Sequence, residues 1–136
     1  MADDSRIFQV EIITPDRIFH TGEATMIEFN TAAGELGVYK NHIPLTTVLA
    51  PGIVKIHKDG DEDVVAAVHS GFAEILPDKV TLLAEIAEWP DEIDKNRAEA
   101  ARARAEERLA NKTEATDIKR AEYALRKALV RIDIAK

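Results

Sequence analysis

Glycine and proline, the residues that most often interrupt regular helices, are confined to the first part of this chain. The last glycine is Gly71 and the last proline is Pro90, in a sequence of 136 residues. The segment that follows is rich in alanine, arginine, lysine, glutamate and leucine, all of which favour helices. We therefore predict two units: a domain of turns and short elements in residues 1–87, and a helical domain in residues 88–136.

The distribution of charge changes at the same place. Residues 1–90 carry a net charge of −9 and residues 91–136 carry +2, so the whole chain is at −7 at pH 7. A general nucleic-acid-binding protein needs a basic surface, so we expect no nucleic-acid partner. The absence of cysteine excludes a disulfide scaffold and a thiolate metal site. No stretch reaches the roughly 20 apolar residues of a membrane span, and residues 1–10 lack the pattern of a secretory signal.

The first unit has the pattern of short β-strands. Runs rich in β-branched and aromatic residues alternate with turn signals at residues 14–16, 58–61 and 77–78. Residues 34–37 are predicted as a further turn. Turns at intervals of about 8–12 residues are typical of an antiparallel β-sandwich or barrel. The predicted strands are residues 7–13, 24–30, 52–57, 64–69, 72–76 and 79–84.

The second unit predicts two helices, one starting near Asp91 and one running from Thr116 or Asp117 to the end. Because the connection is short, we expect an antiparallel hairpin and an overall α+β fold. Apolar residues recur at helical spacing in both helices: Ala98, Ala101, Ala105 and Leu109, then Ile118, Ala121, Leu125, Ala128 and Ile132.

This seam is dominated by alanine, and a buried methyl-sized group contributes only about 0.8 kcal/mol. The hairpin is therefore expected to pack weakly, as suits an element that rearranges. The alternative is a static pair in which alanine lets the two helices approach closely.

Residues with catalytic potential are sparse. The four histidines, at positions 20, 42, 57 and 69, show no metal-ligand spacing, and no phosphate-binding glycine loop or nucleophile elbow is present. His57 and His69 lie on predicted strands around a hairpin and could approach each other, although a structural role is favoured for both. We predict no catalytic residue and no metal site. The residues alone indicate a binding or regulatory module, and they disfavour the alternative of a small hydrolase.

Three stretches carry a resemblance to a known family. They are VEIITPD at residues 10–16, GELGVYKNHIPL at residues 34–45 and SGFAEILPDKVTLLA at residues 70–84. Together they resemble successive segments of the epsilon subunit of bacterial F-type rotary ATP synthases. The family commonly has a glycine where this chain has Ser70, and serine adopts a left-handed backbone less readily.

The resemblance implies a non-catalytic subunit of the central stalk, with an N-terminal β-sandwich and a C-terminal helical hairpin. Its partners would be the gamma subunit and the c-type rotor ring. The extended hairpin would reach the alpha/beta catalytic head and restrain ATP hydrolysis. The complex would hold the chain at the cytoplasmic face of the bacterial cell membrane as a peripheral component. Two alternatives stay open: a purely structural coupling subunit without a nucleotide site, and a stand-alone nucleotide-sensing module.

IDKNRA, at residues 93–98, resembles an Ile/Leu-Asp-x-x-Arg-Ala motif that some bacterial epsilon subunits use to bind ATP in the folded hairpin. The resemblance implies that no cofactor is required and that ATP, with or without Mg²⁺, is a regulatory ligand. Glu88 and Asp94 would address the adenine end, with Arg97 near the nucleotide. The motif also includes Ile93 and Ala98, and the phosphates would meet Arg104, Arg131 and either Arg126 or Lys127.

The same residues have a purely structural interpretation. Asp91 would cap the first helix, Glu92 and Asp94 would favour its dipole, and Arg97 would pair with Asp94 on the surface. The sequence leaves both interpretations open.

Overall fold

The computed structural model describes residues 5–136, so the predictions that involve residues 1–4, including the lack of a signal sequence, partly lie outside the described residues. The described part begins with eight strands. They are β1 (Phe8–Ile13), β2 (Ile18–Ala24), β3 (Met26–Thr31), β4 (Gly34–Val38), β5 (Leu45–Val48), β6 (Gly52–His57), β7 (Val64–Leu76) and β8 (Lys79–Glu88). A 3₁₀ turn at Pro90–Glu92 leads to α1 (Lys95–Ala110) and α2 (Ile118–Ile134).

The strands form a β-sandwich and the helices follow it, which confirms the predicted fold class. The order of pairing is β2-β1-β8-β7-β6-β3-β4, and β5 pairs with β7. Most pairs are antiparallel, as predicted, but β1 and β8 are parallel. A parallel pair needs a long crossover connection, and the strands between β1 and β8 supply it.

Alternating apolar side chains build the core of the sandwich. Val10 and Ile12 of β1 are fully buried, as are Val80 and Leu82 opposite them in β8. This two-residue period is what a strand with one face in the core produces. The strands predicted at residues 7–13, 24–30, 52–57 and 79–84 are confirmed as β1, β3, β6 and β8.

Three strands were missing from the sequence prediction: β4, which was predicted as a turn, and β2 and β5, for which nothing was predicted. β2 carries a threonine, a glycine and a glutamate in succession, and β5 consists of four residues of which three are exposed. Neither segment shows enough apolar alternation to be recognised. Both are strands because the backbone of a neighbouring strand pairs with them, β1 in the case of β2 and β7 in the case of β5.

The turn predicted at residues 34–37 is wrong, because these residues belong to β4. Their two glycines suggested a turn, but Leu36 pairs with Phe29 of β3 and Val38 pairs with Ile27. Val38 is buried in the core. Pairing with β3 thus overrides the local preference of the glycines.

Residues 64–69 and 72–76, predicted as two strands, form the single strand β7. Its backbone bends at Ser70 and Gly71, which have φ angles of 55° and 122°. Before the bend β7 pairs with β6, and after it β7 pairs with β5. The Ser70 hydroxyl donates a hydrogen bond to Glu85 at 2.9 Å. Serine thus occupies the left-handed conformation that the family resemblance had put in question.

The helical hairpin is antiparallel: its connection is short, and the backbone N–H of Lys136 donates to the carbonyl of Pro90 at 3.3 Å. The predicted start of the first helix near Asp91 is wrong. Residues 90–92 form the 3₁₀ turn, and the α-helix begins at Lys95 with Asp94 as its N-cap. The second helix begins after its cap Asp117, as predicted.

Alanine dominates the buried seam between the helices, as predicted. The four fully buried seam residues are Ala98, Ala105, Ala121 and Ala128. Ile118 is an exception to the predicted seam, because 40% of it is exposed. It lies in the first turn of α2, beside the connection, where α1 has ended. The seam therefore buries small groups over most of its length.

The bend in β7 generates a stability prediction. An alanine Cβ at Gly71 would collide with the backbone of Leu83, whereas a Cβ at Gly60, also at positive φ, would meet open space. We expect Gly60→Ala to lower the free energy of unfolding by about 1–2 kcal/mol. Gly71→Ala should lower it by about 3 kcal/mol or more, because overpacking adds to the backbone strain. Urea unfolding of both variants measures the difference, and equal losses would contradict the assigned role of Gly71.

Candidate functional site

The junction between the sandwich and the hairpin is held by an aromatic stack on β2 and by an ion pair with Arg17, the residue before β2. Trp89 stacks on Phe19 with ring centroids 4.1 Å apart. Arg17 Nη2 lies 2.8 and 2.9 Å from the two carboxylate oxygens of Glu92, and the Trp89 N–H donates to the same carboxylate at 2.9 Å. The hydrogen bond from Arg17 lowers the pKa of Glu92. Residues 89–92 thus belong structurally to the sandwich, and the hairpin starts after them.

Asp94 is committed to the start of α1. Its Oδ1 accepts a hydrogen bond from the backbone N–H of Arg97 at 3.1 Å, as an N-cap does. The structural interpretation placed the cap at Asp91, and that assignment is wrong, because Asp91 lies exposed in the 3₁₀ turn. Ile93, between them, is buried. The predicted surface pair of Asp94 with the Arg97 guanidinium does not occur among the described residues.

Glu88 lies at the end of β8, where sandwich and hairpin meet. Its Oε1 accepts hydrogen bonds from Arg131 Nε of α2 at 2.7 Å and from His69 Nε2 of β7 at 3.2 Å. Burial by itself would raise the pKa of Glu88, but the bonds from His69 and Arg131 outweigh it and lower the pKa to about 2. Two of the predicted ATP-binding residues, Glu88 and Arg131, are therefore in direct contact.

His69 is completely buried behind this pair. Burial lowers its pKa, the bond to Glu88 opposes that change, and the charges of Arg131 and Lys127 lower the pKa further. A neutral His69 donates through Nε2 to the carboxylate, and its buried Nδ1 has no hydrogen-bond partner among residues 5–136. His57 contacts Glu28 and Asp63 instead, so the two histidines serve different clusters.

Four of the predicted cations share one side of the hairpin. Arg97 and Arg104 each precede a buried alanine of α1 by one position, and Lys127 likewise precedes a buried alanine of α2. In an antiparallel pair such positions fall on the same side of both helices, and Arg131 lies one turn beyond Lys127. Arg126 is rotated by about 100° from Lys127 onto the exposed far face of α2.

The remaining contacts of the predicted site are local. Lys127 Nζ lies 5.3 Å from the centroid of the Tyr123 ring, on its own helix. Ala98 is buried in the seam. Within the described chain, no ion pair engages the guanidinium groups of Arg97, Arg104 or Arg126. The structure thus brings Glu88 and Arg131 together, aligns Arg97, Arg104 and Lys127 on one side, and leaves Arg126 apart.

A wide cleft lies away from these residues. This cleft of about 960 Å³ separates the outer face of β3, β4 and β6 from the last turns of α2, and its carboxylates come from Glu28, Glu35 and Asp133. A smaller recess of about 320 Å³ lies at the junction, between Trp89, Pro90, Asp91 and Lys136. The predicted ATP-binding residues lie outside the linings of both.

Residues 5–136 contain no cluster of three or more histidine, aspartate or glutamate side chains arranged to hold a metal ion. They also contain no helix that is both long and apolar enough to cross a membrane.

Family models match both units of the chain. Residues 7–90 match the β-sandwich domain of the ATP synthase delta/epsilon chain, and residues 91–136 match its long alpha-helix domain. The chain belongs to the ATP synthase delta/epsilon chain family. The predicted boundary between residues 87 and 88 stays a prediction. Strand β8 extends to Glu88, and the two matched family domains meet between residues 90 and 91.

Relatives within this family are similar over nearly their whole length. The ATP synthase epsilon chain of Shouchella clausii is 49% identical over 128 residues, which cover 94% of this chain and 94% of the relative. The epsilon chain of Brevibacillus brevis is 48% identical and is covered to 96%. These similarities confirm the family resemblance found in the sequence.

Solved structures show the same fold. A chain in the cryo-EM structure of the Euglena gracilis mitochondrial ATP synthase, OSCP/F1/c-ring, superposes with a TM-score of 0.81 at 22% identity, covering 97% of this chain and 82% of that one. A chain from the central stalk/c-ring of the Tetrahymena thermophila enzyme gives 0.52 at 14% identity, covering 93% and 92%.

Sequence reasoning missed the role of His69 in this family member. The residue ends the buried run Ala66, Ala67 and Val68, and a histidine in that position indicates a polar group enclosed by the core. Its partner Glu88 comes from another strand and Arg131 from a helix, so spacing alone could not connect them.

The cap assignment generates a prediction for α1. Asp94→Ala should destabilise the hairpin by about 1 kcal/mol, whereas Asp94→Asn should change it little, because asparagine also caps helices. Asp91→Ala is the matched control and should have no effect, since Asp91 caps nothing. Hydrogen exchange of the first-turn amides of α1 measures all three variants. Faster exchange in Asp91→Ala than in Asp94→Ala would contradict the assignment.

Proposed function

We propose that the chain is the non-catalytic epsilon subunit of a bacterial F-type ATP synthase, part of its central stalk. The observation that carries this proposal is the 49% identity to a bacterial epsilon chain over 94% of both sequences. In this role the subunit couples the gamma subunit to the c-type rotor ring. It is peripheral, held at the cytoplasmic face of the cell membrane by the complex, and performs no chemistry of its own.

An exposed apolar row on the sandwich provides the surface for the gamma subunit. The row crosses five strands in register: Val48 pairs with Phe72, Phe72 with Leu83, Leu83 with Ile13, and Ile13 with Ile18. Four of these side chains are between 48% and 68% exposed. A continuous apolar row of this extent is typical of a protein-protein interface. It contains no charged residue, which favours an apolar partner surface over a lipid headgroup or a polar loop.

The hairpin provides the regulatory element. Its buried alanine seam resists opening only weakly, and its segment of the chain is basic while the sandwich is acidic. Opening would let the helices extend toward acidic surfaces of the alpha/beta head, where they restrain ATP hydrolysis. The clamp of residues 89–92 on β2 would keep the junction fixed during this movement.

ATP, with or without Mg²⁺, is the proposed ligand of the folded hairpin. Arg97, Arg104, Lys127 and Arg131 share one side, and such a set of cations suits a polyphosphate. A ligand that binds only the folded form stabilises it by about 2.7 kcal/mol at a hundredfold excess over Kd. That contribution is comparable to what a few buried methyl groups of the seam supply.

A structural coupling subunit without a nucleotide site is the second candidate. The observation that favours it is the use of Asp94 as a helix cap and of Arg131 as the partner of Glu88. Both residues have structural tasks that need no ligand. Binding measurements distinguish the two candidates.

The nucleotide site is tested on Arg97. Its guanidinium is exposed, so Arg97→Ala should leave the fold intact and weaken ATP binding about tenfold or more, because a charge-assisted hydrogen bond is lost. Arg108→Ala removes the same charge from the other end of α1 and should bind ATP normally. Isothermal titration calorimetry of the purified chain provides the affinities. Equal affinities in Arg97→Ala and Arg108→Ala would favour the structural subunit.

The stalk surface is tested on two leucines of equal exposure. Leu83 lies in the apolar row and Leu129 lies on α2, and each is 48% exposed. Leu83→Lys should weaken binding to the gamma subunit at least about tenfold, because a charge would be buried in an apolar interface. Leu129→Lys should bind normally. Surface plasmon resonance against immobilised gamma subunit measures both affinities. Weaker binding by Leu129→Lys than by Leu83→Lys would mean that the interface lies elsewhere.

A further inference from the structure

One polar contact joins the hairpin to the interior of the sandwich. His69 of β7, Glu88 of β8 and Arg131 of α2 come from three elements and meet at a single carboxylate oxygen, Glu88 Oε1. The His69 side chain is 1% exposed, and those of Glu88 and Arg131 are 24% and 25% exposed. The contact is therefore shielded from solvent on the sandwich side and accessible at the hairpin side.

We propose that His69, Glu88 and Arg131 form a proton-sensitive latch that holds the hairpin closed, with His69 as the residue that positions the Glu88 carboxylate for Arg131. The inference rests on the proposed function of the hairpin as a mobile element. It adds a means of control that needs neither nucleotide nor partner subunit.

The geometry explains why His69 acts through Glu88. The neutral imidazole donates one hydrogen bond and thereby fixes the rotamer of the carboxylate, whose same oxygen then accepts from Arg131. Since the alanine seam contributes little per residue, a charge-assisted bond at the end of α2 is a large part of what keeps that helix in place.

Protonation of His69 would reverse this arrangement. The imidazolium would stand beside the cations Arg131 and Lys127 of α2, and its Nδ1–H would have no acceptor among the described residues. Glu88 is the titratable group that faces it from β8. Strand β6 pairs with this part of β7 through Gly52 and, within residues 5–136, adds no titratable side chain there. Two like charges and an unsatisfied donor would oppose the closed form.

The direction of the pH effect follows from linkage. The pKa of His69 is lowered in the closed form, and opening exposes the ring and removes two cations, so its pKa returns toward the ordinary value of about 6.5. The open form then binds the proton more readily, and the closed form loses stability as the pH falls below about 6.5. Glu88, whose pKa is about 2, stays ionised above about pH 5 and adds no pH dependence there.

Two spin labels on the full chain test the latch without nucleotide. The chain contains no cysteine, so Glu62→Cys in the loop before β7 and Glu122→Cys on α2 provide specific sites, both at exposed positions. Electron-electron distance measurements from about pH 8 to about pH 5 provide the ratio of open to closed molecules. We expect this ratio to rise below about pH 6.5, by at most about tenfold per pH unit for one titrating group.

Matched variants separate the latch from general acid sensitivity. His69→Gln retains a donor for Glu88 but cannot titrate, so it should stay closed with a flat pH profile. His20→Gln removes another half-buried histidine, near Trp89, and should keep the wild-type profile. Arg131→Met should raise the open ratio about tenfold or more at about pH 8, whereas Arg120→Met, on the same helix but exposed, should not.

Each result supports or overturns the proposal. The latch would be overturned if the ratio of open to closed molecules still rose at low pH in His69→Gln. It would also be overturned if that ratio were equal in Arg131→Met and Arg120→Met. If circular dichroism shows that His69→Gln does not fold, the comparison of the two arginine variants decides. A failed latch in a protein that still binds ATP would leave the proposed function standing. If the hairpin stays closed in Arg131→Met and the unmodified chain binds no ATP, both the latch and the proposed nucleotide site are contradicted.

Discussion

Strand β7 bends at Ser70 and Gly71, where the backbone has a left-handed conformation. The rest of the structure depends on this bend. The bend lets one strand pair with β6 before it and with β5 after it. It also separates two surfaces of different exposure. His69, just before the bend, faces the enclosed contact with the hairpin, and Phe72, just after it, is 54% exposed in the apolar row. Gly71 is required because a side chain there would meet the backbone of β8.

The contacts between sandwich and hairpin differ in strength along the chain. The junction is held by a ring stack and a paired carboxylate, the end of α2 by the bond between Arg131 and Glu88, and the helices to each other by small alanine side chains. Because local stability follows buried apolar contact, we expect the helices to open more readily than the junction. Under the proposed function, this gradient would keep the subunit docked in the stalk while the hairpin moves.

The candidate site shows how far motif reasoning extends. The motif at residues 93–98 was found from the sequence, and so were the cations around it. The sequence did not show that some of these residues also have structural partners. Asp94 is occupied by the N–H of Arg97 and Arg131 by Glu88, because helix capping and charge pairing satisfy polar groups wherever the fold brings partners within reach. His69 entered the site only because β7 and β8 are neighbours, which no spacing in the sequence expresses.

By itself, the sequence determined the division into a β-rich and a helical unit, the strands with strong alternation and the alanine seam, because these depend on local propensity and periodicity. Only the tertiary structure decided that residues 34–37 form a strand, that β1 pairs in parallel with β8, that α1 starts at Lys95, and that Glu88 joins His69 to Arg131. The physical reason is the same in each case. Each of these features depends on which segments come into contact in the folded chain: backbone pairing, cap formation and burial of a charge. The free energy of these tertiary contacts exceeds the local conformational preference of the residues involved.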